Sequence, residues 1–212
     1  MNVNVIKTNY LLFSAILYLI IGLVSSIHYH FFITDVSGFL HTNDKTKQQE
    51  EKKIIKIDSP KGLWYNLGRF YSEQGNYTGS IAAFDRALSI DPNFIEALNS
   101  KAYVLRDVGN FSQAIKVFNK VIEKDPEHKW AWNNIGYSLT QLGNVSDSIN
   151  YFDKALEIDP KYESALNNKG TAMIHLGKWI EAKKIFEEVL KINPKDEYAS
   201  KTLQIINENL VK

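Results

Sequence analysis

From Ser59 onward, three residue types recur in phase every 34 residues. Glycine stands at 75, 109, 143 and 177, phenylalanine at 84, 118, 152 and 186, and proline at 92, 126, 160 and 194. Four copies of three unrelated residues at one spacing define an internal repeat. A repeat of this length is one supersecondary unit that cannot bury its apolar side alone, so neighbouring copies must stack. The chain is thereby restricted to an elongated array.

Each unit reads as two helices. Helix A is expected to begin after Ser59-Pro60, Asp91-Pro92, Asp125-Pro126 and Asp159-Pro160. The polar residue there can cap free backbone N–H groups, and proline is tolerated in a first helical turn. The repeated glycines are expected to end helix A, because the chain reversal needs a left-handed backbone. Helix B follows as SIAAFDRALSI, QAIKVFNKVI, DSINYFDKALEI and EAKKIFEEVLKI, each with apolar residues at three- and four-residue spacing. All five prolines lie at unit boundaries.

These residues resemble the tetratricopeptide repeat, whose 34-residue pattern runs W-x2-L-G-x2-Y, then A-x3-F, then P. Trp64, Leu67, Gly68, Tyr71, Ser80, Phe84 and Pro92 follow it closely, as do Trp132, Ile135, Gly136, Leu139, Ser148, Phe152 and Pro160. The second unit (Leu98, Ala102, Leu105, Ala114, Phe118, Pro126) and the fourth (Leu166, Gly170, Met173, Ala182, Phe186, Pro194) keep the small and large positions. Lys101 and Lys169 stand where the pattern has leucine, and their stems are expected to lie along the helix with the ammonium in water. The resemblance covers residues 61–196 without insertion. It implies an all-α, right-handed α-solenoid of four helical hairpins (61–94, 95–128, 129–162, 163–196) within a domain starting at 59. Residues 197–212 are expected to form a capping helix with a solvent-facing polar side (Lys201, Asn207, Asn209).

Ahead of the repeats, Tyr10 to Ile27 is an uncharged run of 18 residues. As a helix it would span ~27 Å, near the hydrocarbon thickness of a bilayer. Residues 1–33 are therefore expected to be one N-terminal hydrophobic transmembrane helix, with a cleaved signal peptide as the alternative. Lysines on the two sides nearly balance, and the short N-terminus tips the expected orientation towards repeats outside the cytoplasm. Residues 34–58 have the mixed-charge composition of a flexible linker.

Composition narrows the chemistry. The 25 lysines and arginines nearly cancel 24 aspartates and glutamates, leaving a formal charge of +1 without the surplus typical of nucleic-acid binders. With no cysteine, thiol nucleophiles and thiolate metal sites are excluded. The five histidines are scattered, and no Gly-rich phosphate loop is present. No catalytic, cofactor-binding or metal-binding residues are assigned, and no cofactor or small-molecule substrate is expected.

Two sets of residues remain as candidate sites. Asn76, Asn110 and Asn144 each open an N-x-[ST] triplet at the turn between helices A and B. They are candidate N-glycosylation acceptors, although the same turn favours asparagine and a hydroxyl residue on structural grounds alone. The second set follows from the resemblance, which implies a peptide groove along the inner faces of the A helices. Its candidate residues are Asn66, Arg69, Asn99, Tyr103, Asn133, Asn134, Tyr137, Asn167 and Asn168. Asn66, Asn134 and Asn168 share the sixth position of their units and look like the asparagine ladder of some superhelical relatives. Exposed amides there would pair with a peptide backbone. The carboxylate clamp of chaperone-tail-binding relatives is not reproduced, since Tyr65, Arg69, Ser100, Trp130 and Asn134 occupy those positions. Groove charges of mixed sign (Arg69, Glu73, Glu96, Arg106, Asp107) lead to the expectation of a mostly uncharged ligand.

The expected function is a non-enzymatic, membrane-tethered scaffold that binds a protein or peptide segment in its concave groove. An exported assembly factor released by signal cleavage is the alternative, and an RNA-binding helical repeat is a weaker one.

Overall fold

A computed structural model describes residues 59–210 of the 212-residue chain. Among the described residues there are nine helices and no strands. The A helices are α1 (Pro60–Glu73), α3 (Ile95–Asp107), α5 (Lys129–Gln141) and α7 (Glu163–His175). Their B partners are α2 (Tyr77–Ile90), α4 (Phe111–Lys124), α6 (Val145–Ile158) and α8 (Trp179–Ile192), and α9 (Glu197–Leu210) closes the series.

Within each unit the A-to-B turn forms as expected. Gly75, Gly109, Gly143 and Gly177 have φ of 72°, 79°, 84° and 72°. The residue after each glycine donates its N–H back across the helix end, as Asn110 does to the Leu105 carbonyl at 2.8 Å. A side chain at the glycine would strain this left-handed closure.

The B-to-A turn corrects one expectation. Only Ser59-Pro60 opens a helix, with Ser59 Oγ accepting from Gly62 N–H at 3.3 Å. Asp91, Asp125 and Asp159 instead terminate the preceding B helix, and helix A begins later, at Ile95, Lys129 and Glu163. The cause is proline's restriction of the residue before it to extended backbone: Asp91 has φ −136° and ψ 97°. Each aspartate then accepts from the N–H two residues on, at 3.0 Å from Asn93, 3.2 Å from Glu127 and 3.0 Å from Lys161.

Packing explains the repeated pair of glycine and phenylalanine. Phe84, Phe118, Phe152 and Phe186 are at most 1% exposed. Each lies against the small residue of its own A helix, so that a Cβ built on Gly68 or Gly136 would come within 2.6 Å of Phe84 or 2.7 Å of Phe152. The same rings also meet the next hairpin, as Phe118 does in one cluster with Leu98, Ala102, Ala131 and Ile135. Losing such a ring should cost about 3–5 kcal/mol.

The Lys101 and Lys169 side chains are largely shielded, and their ammonium groups are not simply hydrated. They pair with Asp85 at 2.5 Å and Asp153 at 2.7 Å on the preceding B helices. At the C-terminal end, Ala199 and Ile206 of α9 join a buried cluster with Leu166, Phe186 and Val189, while Lys201, Asn207 and Asn209 are exposed. At two of the three junctions successive A helices touch directly (α1 with α3, α5 with α7), more extensively than successive B helices do. The stack therefore curves, with its A helices on the concave side.

The expected single-pass membrane localisation, with the repeats outside the cytoplasm, is corrected here. Among the described residues no helix is long and apolar enough to cross a membrane. None exceeds 14 residues, or ~21 Å of helix. The hydrophobic run at 10–27 and the linker at 34–58 lie outside the described residues.

Candidate concave binding groove

Residues at three- and four-residue spacing share one face of a helix, and on α3, α5 and α7 that face lines a cavity of about 700 Å³. Tyr103 and Arg106 come from α3, Asn133, Asn134 and Tyr137 from α5, and Ser164 and Asn168 from α7. Tyr162, which precedes α7, and Phe111, which opens α4, complete the aromatic part of the wall.

Arg106 is the hub. Its guanidinium carbon lies 4.8 Å from the Tyr103 ring centroid and 5.7 Å from that of Tyr137, a double cation–π arrangement. Nε and Nη2 donate to Asp107 Oδ1 at 3.0 and 2.6 Å, and Nη1 donates to Asn134 Oδ1. Asn134 Nδ2 donates in turn to the Tyr103 hydroxyl at 3.0 Å and to the Trp130 carbonyl at 2.7 Å. Burial pushes the Tyr103 hydroxyl above its ordinary pKa and pushes Tyr162 up to about 12. Both therefore remain neutral donors at physiological pH.

The expected asparagine ladder is altered by this network. Asn133 and Asn134 are only 6% and 2% exposed. Asn133 Oδ1 accepts from Asn168 Nδ2 at 2.9 Å, and Asn167 Nδ2 donates to Asp196 Oδ2 at 3.0 Å. The Asn133 and Asn134 amides tie one repeat to another, so Asn134 in particular offers no vacant atom to a peptide. The Oδ1 atoms of Asn99 and Asn167 are buried without a hydrogen-bond partner among the described residues. Asn66 is half-buried on α1, and Arg69 is exposed and pairs with Glu73 at 3.8 Å; neither lines this cavity.

Tyr162, Phe111 and Ser164 were absent from the sequence-based candidates. Phe111 belongs to a B helix, and Tyr162 precedes helix A, whereas the candidates were numbered along the A helices. A signal for Tyr162 was present: Phe94 and His128 occupy the same repeat position and line a second concavity of about 610 Å³. That concavity lies between α1 and α3 and also holds Lys61, Asp91, Glu96, Asn99 and Asp125.

The three asparagines of the N-x-[ST] triplets are exposed. They are also the N-cap residues of α2, α4 and α6. Asn76 Oδ1 accepts from Gly79 N–H at 3.0 Å and Asn110 Oδ1 from Gln113 N–H at 3.4 Å, while Asn144 makes no such bond. Among the described residues, no group of three or more acidic, histidine or cysteine side chains is placed to hold a metal ion.

Models of the tetratricopeptide repeat match residues 63–94, 99–163 and 139–205. No curated protein matches the chain in sequence. Its fold is similar to that of MamA, at 21% identity and TM-score 0.65 over 70% of this chain and 81% of that one. PilF of Pseudomonas aeruginosa is similar at 20% identity and TM-score 0.63, over 70% of this chain and 68% of that one. The first repeat domain of Spaghetti (RPAP3), solved bound to the HSP90 peptide SRMEEVD, is 24% identical with TM-score 0.54, over 56% of this chain and 94% of that one. At these identities the likeness is one of fold.

Proposed function

Since this chain carries tetratricopeptide repeats, modules that act as protein-interaction scaffolds, we propose that it binds a peptide segment of a partner protein in the groove between α3, α5 and α7. The reading rests on Arg106, held between Tyr103 and Tyr137 and locked by Asn134. A rigid platform of aromatic faces around one cation contacts a ligand at little entropic cost and is typical of binding hot spots.

The chemistry differs from simple backbone capture. With the Asn134 amide engaged internally, the tyrosine faces, Ser164 and the free edges of Asn133 and Asn168 are the surfaces left for a ligand. One neighbour of this fold binds an HSP90 peptide. The clamp positions here hold Tyr65, Arg69, Ser100, Trp130 and Asn134, so a terminal carboxylate is not the feature recognised. The role is non-catalytic.

A photo-crosslinking residue placed in the full chain at Tyr137, or at the exposed Glu188 on α8, tests this. Partner crosslinks at 137 and not at 188 are expected, with Tyr137→Ala weakening the captured partner's affinity on the order of ten-fold. Crosslinks confined to 188 would move the interface to the B helices and sink the reading.

A further inference from the structure

Three of the four repeats share a polar contact between residues 30 apart, and the second lacks it. Lys61 pairs with Asp91, and Lys129 pairs with Asp159 at 2.5 Å. In the fourth unit the polarity is reversed, with Asn193 Nδ2 donating to Glu163 Oε2 at 2.9 Å. The two lysines also lie over a ring three residues after the aspartate: Lys61 is 4.9 Å from the Phe94 centroid and Lys129 is 5.2 Å from that of Tyr162. Each seat is a carboxylate plus an aromatic face, closed by a lysine. Lysine pairing is the leading cause that holds Asp91 and Asp159 below the usual carboxylate range.

The second unit has the seat without the lysine. Asp125 and His128 supply the carboxylate and the ring, but Ile95 stands where the other two seats have lysine. Among the described residues no cation pairs with Asp125 or with the exposed Glu96 beside Ile95. All four residues line the same concavity of about 610 Å³. Counting groove charges without pairing them suggests neutrality. Pairing them removes Arg69 with Glu73, Arg106 with Asp107 and Lys61 with Asp91, and leaves Glu96 and Asp125 as the charges that face a ligand unmatched.

We propose that Asp125, His128 and Glu96 form a seat for a basic side chain, lysine or arginine, of the bound peptide. The ligand's cation takes the place that Lys61 and Lys129 fill in their own units. This rests on the groove reading above, extends that groove along α3 from Tyr103 and Arg106 to Glu96, Asn99 and Ser100 of the second concavity, and adds the charge of its ligand. It also changes the expected ligand from mostly uncharged to one carrying a basic residue.

The test uses the full chain and a library of extended peptides randomised at every position. Lysine or arginine should be enriched at one position among peptides bound to the parent. Two variants should abolish that enrichment. Asp125→Asn removes the charge and keeps the turn, as Asn193 shows by accepting from Lys195 N–H at 3.1 Å in the fourth unit. Ile95→Lys restores the internal pair and fills the seat from within. For a selected peptide, either change should weaken binding about five-fold, with replacement of its basic residue by glutamine giving the same loss in the parent. Bound peptides without a basic preference, or a preference untouched by both variants, would overturn the seat while leaving the groove. A library from which nothing binds would overturn both.

Discussion

Arg106 on α3 donates through Nη1 to Asn134 Oδ1 on α5, so that the guanidinium of one repeat is held by the amide of the next. Asn134 is 2% exposed and spends its Nδ2 on Tyr103 and Trp130. It is a structural member of the groove wall. Asn134→Ala is expected to cost about 1–3 kcal/mol, because it strands a charged donor and a buried hydroxyl. Asn66→Ala, at a half-buried position on α1 with no such network, should stay within about 0.5 kcal/mol. Urea denaturation of the two variants measures the difference, and equal midpoints would refute the network.

The close approach of helices A and B gives a second prediction. A Cβ at Gly136 would come within 2.7 Å of the Phe152 ring. Ala102 occupies the same repeat position against Phe118, so the ring can yield. Gly136→Ala should therefore cost only about 1–2 kcal/mol. Gly109 is different: a Cβ there meets nothing within 4 Å, but φ is +79°. Gly109→Val should also destabilise, by about 1–2 kcal/mol, through backbone strain alone. Thermal melts that match the parent would refute either placement.

Ser80 is fully buried and its hydroxyl has no hydrogen-bond partner among the described residues. Ala114 and Ala182 occupy the same position in other units, both buried. Ser80→Ala is expected to raise stability by about 0.5–1.5 kcal/mol, by removing an unpaired hydroxyl and improving helix propensity. Ser148, whose Oγ donates to the Val145 carbonyl at 2.7 Å, should gain less from the same change. A lower urea midpoint for Ser80→Ala would contradict this.

Tyr162 gives the pH dependence a direction. Its folded pKa is raised from 10.0 to about 12, first by burial. A raised folded value means the stabilisation is complete below pH 10 and is lost as pH rises towards 12. Melting temperature should fall across that window, less steeply for Tyr162→Phe. Ultraviolet titration of the phenolate should show a late-ionising tyrosine that this variant lacks.

The 34-residue period was enough to predict an all-helical repeat with left-handed glycine turns and buried phenylalanines, because each depends on residues within one unit or on the equivalent positions of the next. Asp-Pro misled only in position. Its local chemistry, a pre-proline residue in extended backbone, ends helix B instead of starting helix A. The groove was legible as a face and not as a set of contacts. Asn134 reads as an exposed polar residue of an A helix, yet it is buried because Tyr103 and Arg106 of the previous repeat lie across it. Likewise Asp125 looks like Asp91 and Asp159 in the sequence, and only the partner 30 residues earlier distinguishes it. The Asn134 contacts depend on the offset with which one hairpin stacks on the next. Side-chain packing between repeats sets that offset, and no single repeat encodes it.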